Sequence, residues 1–183
     1  MRASGRGTRI ILKPATGLGF FLLIAAAFII TGCASLSPET QYVRGLTQNT
    51  SYGQLKGSVD QPTGGLVWRG IKYARAPEGE LRWRAPQAVE PWSGVKEATA
   101  HGPICAQRNP QNQVEGAEDC LTLDIYRPDS NQTGLPVYVW IHGGSNETGK
   151  AAGNNLSFFV KETNCVAVVI QYRLGPLGFF KHE

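Results

Sequence analysis

The chain has 183 residues, 42% of them hydrophobic, which suffices for one modest domain with a packed core. Its net charge of +4 is misleading, because Arg2, Arg6, Arg9 and Lys13 are the only charged residues before Cys33. The rest of the chain is electrically neutral, which excludes a broad nucleic-acid-binding surface. Three scattered histidines without a CxxC or HExxH motif give no support to a metal site, and we expect no cofactor.

The N-terminal segment has the features of an export signal. A cationic stretch at residues 2–13 precedes an unbroken apolar run at residues 20–30, which is short for a membrane span. The sequence Ile30-Thr31-Gly32-Cys33 resembles a bacterial lipobox, in which the cysteine becomes the lipid-modified first residue. We predict a lipoprotein signal peptide at residues 1–32, lipidation of Cys33 and a membrane anchor in the bacterial cell envelope. Since Ala34 is not the aspartate associated with inner-membrane retention, the outer membrane is favoured; an ordinary signal peptide or an uncleaved anchor remains the alternative.

Predicted strands, turns and one helix follow the export signal along the chain. Residues 33–50 are polar and are predicted to form a tether. Apolar and polar residues alternate at 53–59 and 66–73 around a Pro-Gly turn, which predicts a hairpin. Residues 76–92 contain three prolines and no sustained period, so we expect an irregular covering segment. Strands are predicted at 120–126 and 166–170, and a short helix at 154–162 with Asn154 or Asn155 as its cap.

The most informative stretch covers residues 136–145. Its apolar β-formers predict a strand covered on both faces, as at the centre of an α/β sheet. The strand ends at His142, Gly143 and Gly144, where paired glycines permit a sharp turn and a close approach to a ligand. Open α/β sheets carry their chemistry at such strand ends, and an HGG turn after the third strand is the oxyanion-hole loop of α/β-hydrolases. The plain alternative is a simple strand-ending turn.

Three further cysteines have separate interpretations. Cys105 and Cys120 bracket a polar loop in a chain with an export signal, which predicts a disulfide. Cys165 begins a predicted buried strand and is expected to be an inert core thiol.

A long motif connects these segments to a known family. Residues 118–128, EDCLTLDIYRP, fit the signature EDCLxLxxxxP. Around it stand GIKYA at 70–74, GELRW at 79–83, WSGV at 92–95, the HGG turn and YRLG at 172–175. From about residue 53 to residue 180 the chain resembles the type-B carboxylesterases, which include the cholinesterases and bacterial para-nitrobenzyl esterases.

The resemblance implies the N-terminal portion of an α/β-hydrolase fold at residues 51–183, with the N-terminal hairpin and the first strands of the central sheet. It also implies hydrolysis of a small-molecule ester by a Ser–His–acid triad. The oxyanion donors by position are the backbone N–H groups of Gly144 and Ser145, with Gly143 enabling the turn. Arg82 and Glu118 stand where relatives form a structural salt bridge.

The catalytic triad itself has no counterpart in the chain. No GxSxG motif occurs, and His101, His142 and His182 match no catalytic position. The chain therefore resembles an esterase cut before its nucleophile elbow, and we expect these residues alone to be inactive. Lys72 replaces the family proline, and Asn146 replaces the usual aromatic residue after the turn.

Two other classes of protein remain open from the sequence alone. The chain could be a catalytically dead, esterase-like binding domain or a non-functional fragment. The HGG turn favours the enzyme, because a binding module has no need for oxyanion donors. The short loop between the paired cysteines carries no tryptophan, so a preference for choline esters has no support.

Overall fold

The computed structural model describes residues 42–180, which form ten strands, two short α-helices and one 3₁₀ turn. In chain order the elements are β1 (Thr47–Thr50), β2 (Gly53–Lys56), β3 (Ser58–Val59), β4 (Leu66–Lys72), the 3₁₀ turn Gly79–Leu81, β5 (Val95–Glu97), β6 (Gln107–Arg108), β7 (Val114–Glu115), β8 (Thr122–Arg127), β9 (Val137–Ile141), α1 (Ser157–Thr163), β10 (Val166–Ile170) and α2 (Gly175–Phe179).

A mixed five-stranded sheet is the centre of the fold, with the strand order β3-β4-β8-β10-β9. Its first four strands pair antiparallel, whereas β10 and β9 run parallel in a register that joins Val166 to Val137 and Ile170 to Ile141. Parallel neighbours need a crossover connection, and α1 lies within the one between β9 and β10. The carboxyl ends of β9 and β10 therefore meet at the same end of the sheet.

The core gathers around β10, where Ala167 and Val169 are fully buried. They pack with Tyr126 of β8 and Val160 of α1. A second buried cluster contains Leu121 and Leu174 together with Cys105 and Cys120. Burial of these apolar side chains stabilises the sheet against the entropy of the unfolded chain.

Several predicted elements are confirmed. The strand at 166–170 is β10, the strand within 136–141 is β9, and the strand at 120–126 is β8 shifted towards residue 127. The predicted helix begins later than expected, at Ser157, with Leu156 in the capping position. The Asn154 side chain donates to the carbonyl oxygens of Lys150 and Ala151, so this part of the chain forms a turn before the helix.

The predicted hairpin is only partly correct. The half next to the turn forms as predicted, with β3 paired to β4. β2 instead pairs with β1 and β5 in a separate three-stranded sheet. Gly57 lies at this change of sheet, where a Cβ atom would overlap the backbone oxygen of Val67. Only glycine permits so close a backbone approach.

The tether was predicted to span residues 33–50, but its last four residues form a strand. Thr47–Thr50 is strand β1, paired with β2 in a register that joins Thr47 to Lys56. Main-chain hydrogen bonds form this pair, so the polar side chains that suggested a tether do not prevent it. The predicted signal peptide, Cys33 and the first part of the tether lie outside the described residues.

The prediction that β9 is covered on both faces is wrong for the described chain. β9 is the edge strand of the central sheet, and Val137, Val139 and Ile141 are 63%, 52% and 62% exposed. An apolar run identifies a strand but cannot say which neighbours cover it. Among residues 42–180, no helix is long and apolar enough to cross a membrane.

Candidate active site

The candidate site is the turn that begins at His142, directly after β9. The His142 side chain is buried, and its ring stacks on that of Tyr172 with the centroids 4.4 Å apart. Tyr172 follows β10, and its hydroxyl donates a 2.7 Å hydrogen bond to the carbonyl oxygen of His142. The parallel pairing of β9 and β10 brings these two residues together and so fixes where the turn starts.

The backbone of the turn is tightly folded. Gly144, Ser145 and Asn146 have φ angles of 120°, 57° and 62°, in the region that side-chain-bearing residues rarely adopt. The carbonyl oxygen of Gly144 accepts hydrogen bonds from the N–H groups of Glu147 and Thr148, both at 3.0 Å. These bonds close the turn on itself.

The steric need for glycine lies at Gly144, which corrects the role predicted for Gly143. A Cβ atom on Gly144 would overlap the carbonyl oxygen of Thr148, whereas one on Gly143 would meet open space among the described residues. The positive φ of Gly144 adds to the steric requirement. Gly144 is therefore the residue that permits the turn to close.

The N–H groups of Gly143, Gly144 and Ser145 are available as donors. All three residues are exposed, and within residues 42–180 none of their N–H groups donates to another protein atom. Backbone N–H groups in folded proteins are normally paired with protein or water. Consecutive unpaired donors at a fixed turn can bind an anionic oxygen.

Hydrogen bonds from other segments hold the C-terminal part of the turn. The N–H of Gly175, at the start of α2, donates to the carbonyl oxygen of Asn146 at 2.6 Å. The side-chain amide of Gln107 exchanges two hydrogen bonds with the backbone of Gly149. The sequence predicted neither contact, because each joins distant segments.

A recess of ≈ 350 Å³ lies beside the turn. Its walls come from strands β6 and β7, the second half of the turn and the segment that begins α2. The apolar part of the lining is formed by Val114, Leu174, Pro176 and Leu177, while Arg108 and Glu147 supply charge. Such a recess can accommodate a small, mostly apolar group beside Glu147 and Thr148 of the turn.

The paired cysteines brace the same region. The Sγ atoms of Cys105 and Cys120 are joined in the structure at 2.00 Å, and both residues are buried. Arg82 binds Glu118 through two hydrogen bonds of 2.6 and 2.5 Å. Hydrogen bonding to the Glu118 carboxylate raises the pKa of Arg82. The ion pair thus anchors the chain two residues before Cys120. Cys165 is a buried free thiol.

One polar pair was missed by the sequence analysis. His101 Nδ1 lies 2.6 Å from Oδ2 of Asp124, whose other oxygen accepts the N–H of Gly70 at 2.8 Å. Asp124 is buried within β8, and Gly70 lies at a register shift between β4 and β8. The only available signal was an acidic residue inside a strand pattern.

Among the described residues, no three His, Cys, Asp or Glu side chains gather in a group that could hold a metal ion.

A scan against protein families gives a match to the carboxylesterase family over residues 45–183. The chain belongs to the carboxylesterase family. Acylcarnitine hydrolase of Mus musculus is 39% identical over 94% of this chain and 33% of its own length. Para-nitrobenzyl esterase of Bacillus subtilis (strain 168) is 37% identical over 71% of this chain and 28% of its own length.

Solved carboxylesterases give the same result at the level of fold. A thermophilic PNB esterase matches with a TM-score of 0.70 and 34% identity, covering 76% of this chain and 30% of that one. A carboxylesterase of Geobacillus stearothermophilus matches with a TM-score of 0.67 and 37% identity, covering 73% and 27%. The described residues are thus a partial α/β-hydrolase fold. The chain spans a third or less of the length of these relatives, which come from bacteria and mammals.

Proposed function

We propose that this chain forms the oxyanion-binding part of a carboxylic-ester hydrolase with a serine mechanism. The observation that carries the proposal is the turn after β9, whose exposed N–H groups have no acceptor among the described residues. Membership of the carboxylesterase family supports an ester as the substrate. Two of its relatives, an acylcarnitine hydrolase and a para-nitrobenzyl esterase, agree with that class by name.

In the proposed mechanism, a serine attacks the ester carbonyl and the carbonyl oxygen becomes an oxyanion. The N–H groups of Gly144 and Ser145 donate to this oxygen, and a third donor follows the nucleophile. Loss of one such donor typically costs about a hundred- to a thousand-fold in rate. The apolar recess beside the turn takes one of the two organic groups of the ester.

No GxSxG motif occurs within these 183 residues, so the chain offers no candidate for the serine of such a triad. His101, His142 and His182 match no catalytic position, so it offers no candidate for the base either. We therefore propose that these residues alone do not hydrolyse esters. Enzymes that lose their triad keep about a thousand-fold acceleration over water, from binding and oxyanion stabilisation. Even that remainder needs a complete pocket, and the exposed edge of β9 leaves the sheet open on the site's side.

The test compares residues 34–183 with a chimaera in which the nucleophile-bearing remainder of the Bacillus subtilis esterase is joined after residue 180. Para-nitrophenyl butyrate hydrolysis and organophosphate labelling should appear only in the chimaera. Turnover by residues 34–183 that a serine-directed inhibitor abolishes would reveal a nucleophile in this chain and contradict the proposal.

Oxyanion binding is tested in the same chimaera by Gly144→Ala, which strains the backbone and overlaps Thr148. We expect kcat to fall at least about a hundred-fold with little change in KM. Gly94→Ala is a matched control, because Gly94 also has a positive φ, of 74°, but meets open space away from the turn. Equal losses in both variants would contradict the role of the turn.

The location of the protein is a separate proposal. We propose that Cys33 is lipidated and anchors the chain to the bacterial cell envelope, in the outer membrane. The cationic stretch, the apolar run and the lipobox-like sequence before Cys33 support it. More than one acyl chain is needed for stable anchoring, and bacterial lipoproteins carry several.

A further inference from the structure

The side chain of Gln107 binds the backbone of Gly149 as a neighbouring strand would. Its Nε2 donates to the Gly149 carbonyl oxygen at 2.8 Å, and its Oε1 accepts the Gly149 N–H at 2.9 Å. The same Nε2 donates to the carbonyl oxygen of Cys105 at 3.0 Å. Every one of these bonds is at ordinary hydrogen-bonding distance, and together they use both ends of the amide.

Gly149 packs against the first two residues of the turn, His142 and Gly143. A Cβ atom on Gly149 would overlap both the ring of His142 and the carbonyl oxygen of Gly143. Gly149 therefore packs closely against the two residues that lead into the N–H donors. Ser145 and Asn146 have unfavourable positive φ angles, so the turn depends on contacts from outside to keep its shape.

We infer that Gln107 is a positioning residue for the oxyanion turn and couples the turn to the disulfide-closed loop. Gln107 lies two residues after Cys105, whose sulfur is joined to that of Cys120. The disulfide fixes the backbone of Cys105, the Gln107 amide binds that backbone, and its other contacts fix Gly149. The inference rests on the oxyanion role proposed for the turn, but the shape of the turn can be measured without any catalysis.

The experiment is hydrogen exchange on the full chain, followed at the N–H groups of Glu147, Thr148 and Gly149, which are bonded in the structure. In Gln107→Ala we expect these amides to exchange about tenfold faster, which corresponds to losing roughly 1.4 kcal/mol of local stability. Exchange in β10 should not change, which shows that the variant is folded. Gln111→Ala is the matched control, since Gln111 is an exposed glutamine of the same loop whose side chain makes no bond in residues 42–180.

Two further variants separate hydrogen bonding from packing. Gln107→Met keeps the side-chain volume but removes the amide, so its amide exchange should be as fast as that of Gln107→Ala. Exchange in Gln107→Met as slow as in the unmodified chain would overturn the inference. Gln107→Glu loses the donor to Gly149 when ionised, so the turn should loosen at pH 7. Protonation of the new carboxyl near pH 4 should restore protection relative to the unmodified chain at the same pH. A pH-independent effect of this variant would also overturn it.

Catalysis then distinguishes this inference from the proposed function. In the active chimaera, Gln107→Ala should lower kcat about tenfold and leave KM unchanged, whereas Gln111→Ala should alter neither. Loosened exchange with an unchanged kcat would overturn the oxyanion role but leave the hydrogen-bonded coupling intact. Unchanged exchange in Gln107→Ala would overturn the coupling itself.

Discussion

Tyr172 holds His142 in two ways: its ring stacks on the imidazole with centroids 4.4 Å apart, and its hydroxyl donates to the His142 carbonyl oxygen at 2.7 Å. The two residues are 30 positions apart and follow adjacent parallel strands. The first residue of the candidate oxyanion turn is therefore positioned by Tyr172, which lies just beyond the end of the neighbouring strand β10. Sheet pairing and site geometry are linked at this contact.

The Tyr172 hydroxyl can be removed without losing the stacked ring. We expect Tyr172→Phe to lower the free energy of unfolding by about 1 kcal/mol, the usual net value of one hydrogen bond. Urea denaturation measures the change, and Tyr52→Phe is the control because the Tyr52 ring stacks on Trp92 while its hydroxyl binds nothing in the described residues. An equal effect in both variants would mean that the bond to His142 adds nothing to stability.

Asp60 should make stability depend on pH. Burial alone would raise the pKa of its carboxyl, but hydrogen bonds from Thr63, Asn155 and Ser157 outweigh burial and lower it below the ordinary 3.8. A carboxyl with a lowered pKa in the folded state stabilises the protein above pH 3.8, and this contribution is lost as pH falls through the folded value. Asp60→Asn should therefore be less stable than the unmodified chain at pH 6, and the difference should shrink below pH 3.8 in thermal melts. A difference independent of pH would refute this.

The disulfide between Cys105 and Cys120 should contribute to stability. A closed loop of about 15 residues corresponds to about 3 kcal/mol in the chain-entropy model. Unfolding with and without reductant measures the difference, and the double variant Cys105→Ser/Cys120→Ser should not respond to reductant. Linked peptides should appear in a non-reduced digest of exported protein, and two free thiols in that material would exclude the pairing.

The exposed edge of β9 should cause self-association of these residues on their own. An apolar strand with an unpaired edge is a template for pairing with another chain. We expect Val139→Lys to reduce aggregation of residues 34–183 in light scattering. Val114→Lys adds the same charge at a residue of β7 that is 73% exposed and should have a smaller effect. If both substitutions act alike, net charge and not the edge explains the change.

Lipidation of Cys33 predicts uptake of labelled fatty acid when the full chain is expressed in a bacterium. Cys33→Ser should abolish the label and the partition into detergent, because the acylated residue is gone. Cys165→Ala should keep the label, since Cys165 is a buried core thiol. Equal labelling of Cys33→Ser would exclude Cys33 as the site.

Local sequence was sufficient for the central strands and the turn. Runs of β-branched and apolar residues bounded by proline or glycine predicted β8, β9 and β10, because strand formation depends on short-range pattern. It was insufficient for β1, whose polar residues gave no strand signal and whose pairing partner is β2. The local pattern also gave the wrong prediction that both faces of β9 are covered, since burial depends on neighbours elsewhere in the fold.

Residue type and order were enough to find the family motifs, the glycine turn after β9 and the absence of a GxSxG motif from these residues. The folded chain was needed to learn that position 144 requires a glycine, that Gln107 binds Gly149 and that Tyr172 binds His142. The last two contacts span 42 and 30 residues, so they exist only once the sheet has assembled. Hydrogen bonds of this kind require remote segments to be placed to within tenths of an ångström, which no local pattern records.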